Sequence, residues 1–298
     1  MLLRRAFAAV LLGVFVAGVG GAFPVVVTDD RGREITVERP PGRIIVLLPF
    51  YAEVLLDLGA GDRIVGVADS PGLPPEVAGL PSVGPSFAPS VEAIVALDPD
   101  LVLGAWGDVR DRLESLGVTV LTVGGPGGYI RGVADIFDAI REVGLAVGLA
   151  DRAASLVGEI AEEIVRVEAA VLELPRVRVA FLYMSAPDSP PYAAGRGTPE
   201  NELILRAGGA NVFGDLAGFP QVSLEELVLR DPEVILTDPT QVANVLASQR
   251  LRGVSAVRTG RVHGIEASAL VSTRVAAALR RLVGFLHPDA LGGGEGGT

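Results

Sequence analysis

Ser90-Val91-Glu92-Ala93-Ile94-Val95-Ala96-Leu97-Asp98-Pro99-Asp100-Leu101-Val102-Leu103 aligns without a gap on Ser223-Leu224-Glu225-Glu226-Leu227-Val228-Leu229-Arg230-Asp231-Pro232-Glu233-Val234-Ile235-Leu236. In each copy a serine stands where it caps a two-turn helix, Asp-Pro ends that helix, and an apolar run reads as a buried strand. Glu92 and Glu225 therefore take the same place, just inside a helix N-terminus. One acid there complements the helix dipole by about 0.3–1 kcal/mol and is common. Two at equivalent corners suit a partner that is itself two-fold and carries matching arginines.

Outward from the first copy, Ile44–Leu48 reads as a buried strand, Ala52–Leu58 as a helix, Ile64–Val67 as a strand, Val109–Leu116 as a helix and Val118–Leu121 as a strand. Strands that are apolar throughout, alternating with helices, predict a parallel sheet buried on both faces. Ahead of them, Val25–Thr28 and Glu34–Val37 read as a β-hairpin across Asp29-Asp30-Arg31-Gly32. Outward from the second copy, Val177–Leu182 opens another α/β series, with helices at Glu202–Arg206 and Val275–Leu286 and a strand near Val262. Between the two series, Leu156, Ile160, Ile164, Val167 and Val171 recur three or four residues apart over 151–172. They predict one long amphipathic helix, capped by Asp151 and stopped by Pro175. The expected architecture is α/β: two lobes with mainly parallel sheets, joined by a single long α-helix, with a ligand cleft between the lobes.

The N-terminus reads as an export signal. Arg4 and Arg5 precede an apolar run over Ala6–Val19 and the small residues Gly20-Gly21-Ala22. That run is shorter than the roughly 20 residues of a membrane-spanning helix. The expected organisation is a signal peptide over 1–22, an N-terminal lobe over 23–128, a helical connector over 129–174, a C-terminal lobe over 175–290 and a disordered tail over 291–298. Because the chain has no cysteine, a lipoprotein is not expected, and the mature protein is expected free in the periplasm.

Composition removes several chemistries. With no cysteine there are no disulfides, thiolate zinc sites or thiol nucleophiles. Every one of the 25 basic residues is arginine, which removes Schiff-base lysines and the lysine of a phosphate-binding loop. A net charge of −11 opposes nucleic-acid binding. His263 and His287 are the only histidines, and His263 reads as structural. No hydrolase elbow, zinc-protease motif or complete dinucleotide fingerprint occurs. No catalytic residue, metal site or cofactor is expected, and a binding protein is favoured over an exported enzyme or a sensor.

The few aromatics sit where ligands bind. Phe50, Tyr51 and Trp106 follow strands of the first series, and Phe87 precedes the first repeated helix. Tyr192 lies after Pro190-Pro191, and Phe219 precedes the second repeated helix. Ligands of open α/β sheets sit outside the carboxyl ends of the strands, so these residues predict an aromatic cleft for a large, flat or partly apolar ligand.

Taken with Ala207-Gly208-Gly209-Ala210-Asn211-Val212-Phe213 and Pro220-Gln221-Val222-Ser223-Leu224-Glu225, the chain resembles the periplasmic substrate-binding proteins of the cobalamin and ferric-siderophore class of ABC importers. The resemblance implies two lobes bridged by a rigid helix and only modest opening. It implies that Glu92 and Glu225 dock on arginines of a dimeric permease, that Tyr192 and Phe219 line the pocket, and that Glu266 lies near an acidic pocket position. Phe87 and Trp106 stand one residue from the expected tryptophans, and Ser70 replaces an expected tyrosine. The ligand is accordingly a metal chelate: a corrinoid, or else a ferric siderophore or haem, for which Arg131, Arg196 and Arg274 are candidate anion partners. A monomer is expected.

Overall fold

The computed structural model describes residues 23–291. The expected signal peptide and, apart from Leu291, the expected tail lie outside the described residues. Strands β1 (Val25–Thr28) and β2 (Glu34–Val37) form the antiparallel hairpin. They are followed by β3 (Ile44–Val46), β4 (Ile64–Asp69), β5 (Ser82–Pro85), β6 (Leu101–Leu103) and β7 (Val120–Leu121), an all-parallel sheet in the order β5-β4-β3-β6-β7. The second sheet contains β8 (Val177–Tyr183), β9 (Tyr192–Ala193), β10 (Gly209–Asn211), β11 (Val234–Thr237) and β12 (Val262–Gly264). Its parallel order is β10-β8-β11-β12, and β9 runs antiparallel beside β8.

Alternation along the strands explains how both sheets are covered. Ile44, Val46, Leu101 and Leu103 point into one core, and Ile45 and Val102, one residue out of phase, point into another. In the second sheet Val179, Phe181, Val234 and Leu236 face the same large core as Ile44, whereas Ala180, Leu182 and Ile235 face a third. One apolar cluster thus runs from the hairpin through both sheets to Leu286. Two smaller clusters seal the outer faces.

The connector supplies the middle layer, and it holds two helices where one was expected. Val133–Ala146 packs on the hairpin and on helix Pro49–Asp57, and Ala150–Ala169 packs between it and the C-terminal helix Val275–Leu286. Leu156, Ile160, Ile164 and Val167 are buried as the periodicity predicted. Asp151 is not the cap. Leu149 holds that position without a side-chain bond, and Asp151 lies in the first turn, where its charge still complements the dipole. The helix ends at Ala169, ahead of Pro175.

The repeat shares its cap and its exit in the structure, although the second helix is one residue longer. Ser90 accepts a hydrogen bond from the Ala93 amide at 3.1 Å, and Ser223 accepts one from the Glu226 amide at 3.0 Å. Helices Val91–Ala96 and Leu224–Arg230 follow. Asp98 and Asp231, at matched positions after them, both adopt left-handed backbone, with φ of 46° and 38°. Aspartate tolerates that region through its short polar side chain.

Candidate functional site

In the first sheet the chain steps from β3 out to β4 and β5, then returns to the other side of β3 as β6 and β7. The switch point therefore lies between the carboxyl ends of β3 and β6, where an open sheet leaves a crevice. Phe50 and Trp106 follow these two strand ends, and both are half-buried. Two glycines make room for the rings of Tyr51 and Trp106. Gly104 has φ +87° and a Cβ there would fall 2.6 Å from the Tyr51 ring; Gly128 has φ +76° and a Cβ would fall 2.6 Å from Trp106 Nε1. Trp106 Nε1 is itself buried without a partner.

Tyr51 is a correction. Pro49 opens a helix over Pro49–Asp57, so Phe50 and Tyr51 are helical rather than in a loop. Tyr51 is 1% exposed, and its hydroxyl donates to the Val123 carbonyl at 3.0 Å and accepts from the Val123 amide at 2.9 Å. It braces the first lobe and presents no ligand surface. Phe87 stands at the opposite extreme, 90% exposed.

In the second sheet β8 is entered first, with β10 on one side and β11 and β12 on the other, so the switch point lies at the ends of β8 and β11. Tyr183 ends β8, and the sequence reading had not named it. Its ring meets Phe219 edge-on at 5.9 Å between centroids and Phe181 at 5.3 Å. Tyr192 lies opposite Tyr183 in the β8–β9 register, and Tyr192 and Phe219 are both about half exposed. Tyr183, Tyr192 and Phe219 thus form one aromatic group, which the strand-end rule could have found by reading Val177–Leu182 one residue further.

Behind that group lies Glu200, 4% exposed, whose Oε1 accepts from the Tyr183 hydroxyl at 2.6 Å while Oε2 is buried without a partner. Burial holds the Glu200 carboxyl above the usual glutamate range, only partly offset by the Tyr183 bond. Burial and the neighbouring Glu200 push the Tyr183 phenol up as well, so it stays a neutral donor. The native state therefore binds the Glu200 proton more tightly than the unfolded chain. The stability this supplies is fully present below the unfolded value of about 4.3 and is lost as pH rises through the raised native value. Glu200→Gln, isosteric with the protonated acid, is expected to flatten this part of the stability profile, as read by urea unfolding between pH 4 and 8.

Glu266 stands apart from the aromatics. It is exposed and lines a cavity of about 420 Å³ with Glu53, Asp57, Glu76, Thr273 and Arg274, and none of the lining residues is aromatic. Of the three candidate arginines, Arg274 pairs with Glu53 across the lobes at 2.5 Å and Arg131 pairs with Asp135 at 2.8 Å. Arg196 is exposed and has no carboxylate partner among the described residues. Its backbone is bonded to Leu216 and Gly218, next to Phe219. His263 stacks on Phe285 at 4.3 Å, a packing role. Among the described residues no three His, Cys, Asp or Glu side chains are arranged to hold a metal ion.

On the helices of the repeat, Glu92 accepts from Arg112 at 2.9 Å and from Ser90 at 3.2 Å, and its side chain is 77% exposed. Glu225 pairs with Arg250 and is 65% exposed. Arg112 comes from helix Gly107–Ser115 after β6, and Arg250 from the turn beyond helix Val242–Ala247 after β11. The Glu92 carboxyl is held below its usual range by backbone bonding at the helix start and by Arg112.

Comparison with known proteins places this geometry. An uncharacterised ABC transporter substrate-binding lipoprotein of Bacillus subtilis is 27% identical, covering 90% of this chain and 87% of the relative. A cobalamin-binding protein of Halobacterium salinarum is 29% identical, covering 89% of this chain and 75% of the relative. Among solved structures, a protein of the ABC-type Fe3+-hydroxamate transport system of Saccharomonospora viridis is 28% identical with a TM-score of 0.74, covering 89% of this chain and all of the other. The Bacillus relative overturns one expectation: it is a substrate-binding lipoprotein, which contradicts a protein free in the periplasm and supports an extracytoplasmic place. The periplasmic binding protein family model matches residues 44–269, which takes in both sheets, both connector helices and both copies of the repeat, and the chain belongs to that family.

Proposed function

We propose that the chain is the extracytoplasmic solute-binding component of an ABC importer, that it captures a corrinoid, and that it releases this cargo to a dimeric permease chemically unchanged. Residues 23–128 and 175–290 act as the two lobes and 129–174 as their connector. The observation that carries the reading is the aromatic surface at both switch points, Phe50 and Trp106 on one sheet and Tyr183, Tyr192 and Phe219 on the other. Rigid aromatics suit a broad macrocycle, because they offer large contact area at small entropic cost. The similarity to the Halobacterium protein supports a corrinoid over other chelates.

A ferric siderophore is the second reading. It is favoured by Arg196, an exposed arginine without a carboxylate partner among the described residues whose backbone is bonded to Gly218, next to Phe219, and by the likeness to the Saccharomonospora protein. Calorimetric titration with cobalamin, a ferric hydroxamate, a ferric catecholate and haemin decides between them. Tight one-to-one binding of cobalamin alone is expected, and silence toward cobalamin with binding of another ligand overturns the first reading. Trp106 is the only tryptophan, so its emission follows the same titration. Trp106→Ala is expected to weaken binding by about 1–3 kcal/mol if the indole stacks on the ligand, measured as the change in Kd, and an unchanged Kd removes Trp106 from the site.

A further inference from the structure

Three residues beyond each docking glutamate, at matched positions of the repeat, stands an exposed valine: Val95 is 40% exposed and Val228 is 41% exposed. Leu229, next to Val228, is 85% exposed. Residues three and four apart on a helix share a face, so each valine lies beside its glutamate, and Leu229 lies beside Glu225. The solvent side of a short amphipathic helix is ordinarily polar. A single exposed aliphatic means little. The same residue type, equally exposed, one turn past the same acid on two lobes is a repeated surface.

We propose that Val95 on one lobe and Val228 with Leu229 on the other are the apolar centres of two docking patches, and that their occupant is the dimeric permease of the importer. The inference rests on the reading of Glu92 and Glu225 as docking residues. Charge complementarity identifies the partner: each acid is already bonded to an arginine of its own lobe, so each patch accepts guanidinium groups. Two-fold repetition matches a partner with two identical subunits, each offering the same surface. Aliphatic side chains packed beside these ion pairs would exclude water from them, and a charge pair gains strength as its surroundings dry.

The test measures capture of the full mature chain by the cognate permease–ATPase complex in lipid nanodiscs. Four proteins are compared: the parent, Leu229→Ser alone, the triple variant Val95→Ser, Val228→Ser and Leu229→Ser, and the pair Glu92→Gln with Glu225→Gln. The serine triple is expected to weaken capture about tenfold or more while thermal unfolding stays unchanged, and Leu229→Ser, the most exposed site, is expected to account for much of the loss. If the glutamine pair weakens capture and the serine variants stay within twofold of the parent, the apolar patches are not part of the interface and the docking glutamates stand. If the glutamine pair has no effect, the docking reading itself falls and the patches with it. If sedimentation shows the parent to be a dimer that the serine triple dissolves, the occupant is a second copy of this chain and the proposal is overturned.

Discussion

Arg110→Ala destabilises the protein by about 3–5 kcal/mol, the cost expected when one partner of a buried charge pair is removed. Arg110 is 1% exposed and lies 2.7 Å from Asp30, whose side chain is 3% exposed, and 3.7 Å from Asp29. The two acids sit in the turn of the N-terminal hairpin, and Arg110 belongs to helix Gly107–Ser115 of the first lobe. The pair therefore fastens the hairpin onto the sheet, together with the Asp30 amide donating to the Thr122 carbonyl at 2.8 Å. Without the guanidinium, Asp30 is left with no other cationic partner among the described residues. Asp29 is less affected: burial alone would raise its carboxyl, but the Arg33 backbone and side-chain bonds outweigh that and hold it below its usual range.

The loss should also reach the ligand surface. Arg110 Nε donates to the Ala105 carbonyl at 2.8 Å, and the Thr122 hydroxyl donates to the same oxygen at 2.7 Å. Ala105 immediately precedes Trp106, so Arg110 holds the segment that carries the indole. Urea unfolding gives the first quantity and ligand titration the second. Combining Arg110→Met with Asp30→Leu is expected to recover most of the stability, since an apolar pair of similar volume often replaces a buried ion pair at little cost. A loss below about 1 kcal/mol for Arg110→Ala would mean that the hairpin is held by its apolar residues Val27 and Val37 alone.

The fold was legible because its strands are apolar throughout and its helices are punctuated. Leu101–Leu103, the hairpin strands and helix Val275–Leu286 occur where the pattern placed them. The elements that escaped notice are of another kind. β5 contains Ser82, Gly84 and Pro85, and β10 is Gly209-Ala210-Asn211. Val83 is the only strand-forming side chain in β5 and β10 has none; both sit at an edge of a parallel sheet, which offers them hydrogen bonds. Helix Val133–Ala146 was hidden in the connector since Gly132 supplies no capping side chain to mark its start.

The site was legible in outline and not in orientation. Strand ends are visible in sequence and point to Phe50 and Trp106, whereas Tyr192 is singled out by its proline loop and Phe219 by the repeated helix that follows it. Whether an aromatic on such a segment turns outward depends on helix phase, and Pro49 at the helix start rotates Tyr51 into the core. Glu200 could not be seen at all. Its burial arises from packing behind Tyr183, a contact between residues whose sequence separation carries no periodic signal. The shared apolar cluster is of the same long-range kind. Because Val46 and Leu103 of one sheet and Val179 and Leu236 of the other face one core with the connector helices, the lobes cannot separate without exposing it. This favours small opening motions over wide hinge closure.

Charge reversal at both Glu92 and Glu225 is expected to abolish uptake while ligand affinity is retained. Both side chains are well exposed, lie on short helices and have arginines of their own lobe as partners. Glu92→Arg would meet Arg112, and Glu225→Arg would meet Arg250, so each patch would change from a neutralised pair to two cations. Like charges placed together at an interface cost several kcal/mol, and two such patches acting on one partner would lower its capture by at least about 100-fold. Within the free protein the penalty is far smaller, because exposed ion pairs contribute only about 0–1 kcal/mol. Uptake by membrane vesicles, ligand titration and thermal unfolding separate these effects: the first should vanish and the other two should barely change. Each single reversal should retain partial activity, since one lobe still docks. Restoration of uptake by reversing the matching arginines of the permease would identify the contact directly. Undiminished uptake by the double variant would show that the two-fold repeat serves the fold and not the partner.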